Sequence, residues 1–200
     1  MVYSTPILAL TTLTFCAAAA LLVGAYKANS VLRNSTSKAF LAAFSLITLG
    51  LGMRLLVETL YLPTHILGLE VMVLPIMSNL FLLSAYTVLL LVAERIRNAA
   101  TKILFALLLV LAVILSTYLP AVMHVTTATL LSLLAYRFYM NFLQKNSVNA
   151  LIVYVAFLLL LVAQVAAVFM NTSLLAHYAY LVLTLLGYFA LFVMLWRVRQ

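Results

Sequence analysis

The chain predicts an all-α integral membrane protein of seven transmembrane helices, and three observations carry that prediction. Of its 200 residues, 68% are hydrophobic and 7% charged, against about a quarter charged in an ordinary soluble domain. The apolar residues form long continuous runs rather than the segments of about 10 residues, alternating in polarity, that build a membrane barrel. Seven of those runs reach the roughly 20 residues a helix needs to cross the hydrocarbon. They leave so little over that residues 1–200 read as one membrane domain.

Helix 1 is expected over residues 5–26. No basic residue precedes it and Lys27 follows, so it reads as a retained helix, not a cleaved signal peptide. Cys16, the only cysteine, lies inside it, which excludes an intramolecular disulfide or a cysteine metal cluster. A polar connector at 27–38 leads to helix 2 at 39–62. Pro63 marks the turn into helix 3 at 66–93, where Pro75 removes a backbone donor, frees the carbonyl near residue 71 and predicts a kink. Helix 4 is expected at 102–119, helix 5 at 121–143 after a turn at Pro120, helix 6 at 149–170 after a polar connector at 144–149, and helix 7 at 174–196.

The net charge of +8 is spread over helix ends instead of forming the basic patch that nucleic-acid binding needs. Lys27, Arg33, Lys38, Arg95, Arg97, Lys102, Arg137, Lys145, Arg197 and Arg199 all fall on one side. The positive-inside rule makes that side cytoplasmic and the N-terminus external, as in a multi-pass protein of the cell membrane. Glu94 is expected to pair with Arg97 or Lys102. Tyr61, Tyr118 and Tyr178 fit interfacial belts. Asn171-Thr172-Ser173 is a glycosylation sequon on the outer side, and Asn34-Ser35-Thr36 is one on the inner side, where it is silent.

An internal comparison finds Ala25-Tyr26-Lys27 recurring as Ala135-Tyr136-Arg137, 110 residues later. The same offset carries Arg54 onto Gln164. Helices 1 to 3 and 5 to 7 are therefore candidates for a parallel repeat joined by helix 4, a 3+1+3 plan.

Arg54 is the one basic residue away from the helix ends, and Glu58 stands one turn from it on the same face. A charge at membrane depth costs about 2.5 to 3.5 kcal/mol, so it faces the bundle interior and finds a partner. Helix 3 returns Glu70 to a similar outer depth. His65, His124 and His177 are also expected at the outer face, with Gln164 and Asn171 near them, and Ser78, Asn79 and Ser84 continue a polar line inward along helix 3. Together they outline an outward-facing polar pocket.

Four uses of that pocket follow. As a sensor or receptor-like module, the layout resembles microbial rhodopsins and the membrane domains of some sensor kinases. A rhodopsin needs a lysine in its last helix for retinal, and helix 7 has none, so retinal is not expected. With no output domain before Gln200, a sensor of this kind would act through a cytoplasmic signalling partner. As a carrier, the plan resembles the SWEET sugar transporters, whose triplets carry paired prolines; here Pro75 lacks a counterpart in helix 7 and no proline-glutamine motif appears. As an electron-transfer subunit, His124 and His177 could ligate a b-type haem, and with His65 and Glu70 the histidines could alternatively hold zinc. A subunit assembled with other membrane subunits would share these features. No nucleophile elbow or phosphate loop is present, so an enzyme would have to work through that outer polar cluster.

Overall fold

The computed structural model describes residues 5–61, 70–96, 98–170 and 172–198, with the side chains of 60, 61, 70–72 and 198 also outside the description. Seven helices follow in order: α1 (Thr5–Leu32), α2 (Ser35–Tyr61), α3 (Glu70–Ala93), α4 (Ala99–Tyr118), α5 (Pro120–Lys145), α6 (Val148–Val168) and α7 (Leu174–Val198). Each contains a stretch long and apolar enough to cross a membrane. The protein is a multi-pass membrane protein, and the bilayer is the solvent for its exposed leucines, valines and aromatic residues.

The polar connectors are shorter than the sequence indicates. Residues 27–32 continue α1, and α2 begins at Ser35, so only Arg33 and Asn34 separate the two helices. At 144–149 only Asn146 and Ser147 stand outside helices. A 28-residue α1 is about 42 Å long, the full thickness of a bilayer with its headgroups. Its last turns lie where polar side chains meet water and cost nothing. These tight reversals use left-handed backbone at Arg33 (φ 47°), Arg95 (φ 54°) and Asn146 (φ 45°). Side-chain oxygens cap the following helices: Asn34 accepts from the Ser37 N–H, Asn98 from Ala100 and Ser147 from Ala150. Pro120 opens α5 as expected. Pro75 lies in the second turn of α3, and Pro63 falls outside the described residues.

Six helices close a ring in the order α1, α2, α3, α5, α6, α7, with α7 returning to α1. Helix α4 stands outside it against α3 and α5 and buries only Ala112, Val113 and Ser116. Because lipid tails are as apolar as leucine, packing and interhelical hydrogen bonds hold such a ring together. The Ser78 hydroxyl donates to the Gly50 carbonyl at 2.8 Å, tying α3 to α2, and Thr48 donates to the Ala18 carbonyl at 3.2 Å, tying α2 to α1. Phe138 stacks on Phe157 at 5.0 Å between α5 and α6. Gly50 and Gly187 permit the closest approaches: a Cβ at Gly50 would lie 2.9 Å from Leu82 Cγ, and one at Gly187 would lie 2.7 Å from Leu160 Cγ.

Burial repeats along the chain. At an offset of 110 residues Leu21, Ala25, Ala43, Ile47 and Gly50 correspond to Leu131, Ala135, Val153, Phe157 and Leu160, all buried. Tyr26 and Tyr136 are equally exposed, at 64% and 62%. For α3 and α7 the matching offset is 102: Ser78, Leu82, Ala85, Tyr86 and Leu89 correspond to Tyr180, Thr184, Gly187, Tyr188 and Leu191, again all buried. The first half thus carries eight more residues between its second and third helices. The ring maps onto itself under the exchange of α1, α2, α3 with α5, α6, α7, leaving α4 without a counterpart.

Candidate functional site

The interior face of α2 runs through Ala43, Ile47, Gly50 and Leu51 and continues, at helical spacing, into Arg54 and Glu58. There the ion pair forms as the spacing requires, Arg54 Nε donating to Glu58 Oε1 at 3.2 Å, with side-chain exposures of 22% and 5%. Arg54 also reaches across the ring. Its Nη1 donates to the Tyr180 hydroxyl of α7, and its guanidinium carbon lies 4.8 Å from the centre of that ring. Helices α2 and α7 do not pack flank to flank, so the contact crosses the bundle interior.

Tyr180 extends the chain of contacts. Its ring meets the imidazole of His124 on α5 edge-on, with centroids 6.2 Å apart, and His124 Nδ1 bonds Gln164 Oε1 on α6 at 2.9 Å. With the amide oxygen as acceptor, Nδ1 is the donor in this bond. His177 stands one turn before Tyr180 on α7, within electrostatic reach of both Arg54 and Glu58. Two buried polar atoms at this level have no hydrogen-bond partner among the described residues, Glu58 Oε2 and His177 Nε2.

Of the residues singled out from sequence, the structure brings together Arg54, Glu58, His124, Gln164 and His177. It does not bring in Asn79, which is half-buried on α3 and makes no hydrogen bond among the described residues. The neighbouring Ser78 turns instead to the Gly50 carbonyl. The Glu70 side chain, His65 and Asn171 lie outside the described residues. No three metal-ligating side chains gather among the described residues. At the opposite end of the bundle, Glu94 pairs with Arg137 of α5 at 3.7 Å rather than with Lys102, because α3 and α5 are ring neighbours; Arg97 lies outside the described residues.

Sequence reasoning missed Tyr180, the residue on which the network turns, and named Tyr178. Two helical residues are about 200° apart, so only one of them can face inward. The available signal was the spacing Tyr180, Thr184, Tyr188, four residues at a time, which defines a polar stripe along one face of α7. Thr184 satisfies its hydroxyl on the Tyr180 carbonyl at 2.7 Å. Deeper in the bundle Tyr188 meets Tyr86 of α3, hydroxyl to hydroxyl at 2.8 Å, both buried. Tyr86 and Tyr188 correspond at the same offset of 102 residues.

The tyrosine pair supports a direct test. Tyr188→Phe removes one hydroxyl and strands the other in a dry interior, which is expected to destabilise the protein by about 1–3 kcal/mol. Tyr86→Phe combined with Tyr188→Phe removes both and is expected to recover most of that loss. Thermal unfolding of Tyr86→Phe, Tyr188→Phe and the double variant checks this; a double variant as unstable as the sum of the singles would show that the hydrogen bond contributes little.

Comparison with protein-family models, with curated proteins and with solved structures finds no match to this chain, so any reading of the site rests on its geometry.

Proposed function

We propose that the protein is a small-solute carrier of the cell membrane, binding its solute at the seam between two three-helix halves. One observation carries the reading: the interior network joins side chains of one half, Arg54 and Glu58, to side chains of the other, Tyr180, His124 and Gln164. Hydrogen bonds across a seam can exchange partners when a solute enters, and a seam between related halves is where rocking motions centre. The recurrence of buried positions and the Tyr86 to Tyr188 contact support two such halves. A sensor would use the same residues for binding, with output to a cytoplasmic partner, but would need no exposure of the site to the inner side.

Cysteine accessibility separates the two. In a Cys16→Ser background, Thr184→Cys places one thiol a turn inward of Tyr180. For a carrier, a membrane-impermeant thiol reagent is expected to label it from either face, in right-side-out and inside-out vesicles alike. Labelling from the outer face alone would refute the carrier and support the sensor.

A further inference from the structure

We propose that an anionic phospholipid is held where α3, α4 and α5 meet at the basic end of the bundle, its headgroup against Arg95, Lys102 and Arg137 and its acyl chains along α4. No residue of the seam takes part, so the inference stands apart from the carrier reading. Charge is the first observation. Among the described residues, that end carries every lysine and arginine except Arg54 but a single carboxylate, Glu94. Glu94 meets Arg137 at 3.7 Å, and neither Arg95 nor Lys102 meets a carboxylate among the described residues. The chain brings the three cations to one corner. Arg137 Nε donates to the Ala93 carbonyl at 3.4 Å, and Arg95 then turns the chain with left-handed backbone (φ 54°). Helix α4 opens at the Asn98 cap, with Lys102 one turn along. Like charges so gathered repel one another, and α4 has no acidic residue in its first turn to offset the positive end of its dipole. An anion among them offsets both.

Packing is the second observation, and it selects a lipid over a free anion. Helix α4 stands outside the ring, and its buried residues, Ala112, Val113 and Ser116, all belong to the half remote from the basic end. Residues 99–111 include none, so the bundle covers α4 least beside the cations. Starting there, Ile103, Leu107, Val110 and Ile114 share one face of α4 at helical spacing, each half exposed or more. A basic corner above an apolar face is the complement of an anionic headgroup above acyl chains. Free phosphate would use the corner alone, and an acidic soluble protein would leave the apolar face, at membrane depth, without a partner.

The test is thermal unfolding of the purified full chain in a non-ionic detergent, titrated with dioleoylphosphatidylglycerol, dioleoylphosphatidylcholine or inorganic phosphate. A headgroup bridging α4 to α3 and α5 stabilises the folded state, so phosphatidylglycerol is expected to raise the unfolding midpoint saturably, and the other two are not. Arg95→Gln combined with Lys102→Gln is expected to weaken the apparent affinity for phosphatidylglycerol by about tenfold or more. Arg95→Lys combined with Lys102→Arg keeps both charges and is expected to keep the affinity. Lys27→Gln combined with Lys38→Gln removes the same charge from α1 and α2, neither of which packs against α4. That control is expected to stay within about twofold of the parent, because exposed charges act over little more than a Debye length. All four side chains are exposed, so the variants are expected to fold. An equal loss in both glutamine pairs would overturn the corner site in favour of a diffuse attraction of the whole basic end for an anionic leaflet. Equal stabilisation by phosphatidylcholine or by phosphate would overturn it too, in favour of a site for any lipid or for a free anion. Absence of a saturable shift with phosphatidylglycerol would overturn it outright, and the labelling of Thr184→Cys would still decide the carrier reading by itself.

Discussion

Arg54→Ala is expected to destabilise the folded protein by about 3–5 kcal/mol, the range found when one partner of a buried ion pair is removed. The reason lies with the residue left behind. Glu58 is 4% exposed and takes its one hydrogen bond from Arg54. Without the guanidinium, a carboxylate remains in the bundle interior with neither countercharge nor hydrogen-bond donor among the described residues. Tyr180 loses the donor at its hydroxyl in the same step. Arg54→Met combined with Glu58→Leu removes both charges and is expected to recover most of the stability, since well-packed apolar replacements of buried pairs are often neutral or stabilising. Thermal unfolding in detergent at fixed lipid content measures both. If Arg54→Ala unfolded at the temperature of the parent protein, Glu58 would have to be neutral or otherwise solvated.

Gly187→Leu is expected to destabilise by about 3 kcal/mol, at the upper end of ordinary overpacking. Even a Cβ at this position would sit 2.7 Å from Leu160 Cγ, 2.8 Å from its Cδ2 and 3.2 Å from the Ala156 carbonyl oxygen. Rotation of Leu160 relieves the first two contacts. The third is backbone and yields only if α6 and α7 separate, which would move Gln164 and Tyr180 apart, one helical turn or two from the contact. Leu160→Ala in the same chain is expected to restore part of the loss by opening room for the new side chain. A fully stable single variant, measured by thermal unfolding, would show that α6 and α7 are not held in the close register on which the site depends.

The seven helices were legible because continuous apolar runs of about 20 residues have no other use in a chain so poor in charge. Helix ends were less legible: polar residues such as Lys27, Asn29 and Ser30 end the apolar run without ending α1, since a helix can continue through the headgroup layer. Arg54 and Glu58 stood out because lipid makes an interior charge costly, so its presence needs a reason. Tyr180 did not stand out, because a tyrosine is as much at home at an interface as inside a bundle. Asn79 did stand out and lies apart from the network, because polarity marks a side chain as needing a partner without saying which helix supplies it.

The sequence by itself determined that the protein lives in a bilayer, how many times it crosses, which ends carry the positive charge and that Arg54 and Glu58 share a face. Each of these depends on local composition or on spacing within one helix, and both are written along the chain. Only the tertiary structure decided that Tyr180 receives Arg54, that His124 is held by Gln164, that Glu94 meets Arg137 and that Tyr86 meets Tyr188. Those contacts depend on which helices are neighbours in the ring and how each is rotated about its axis. Packing sets both through close approaches such as Gly187 against Leu160, and within a membrane every helix presents the same apolar surface to its rivals.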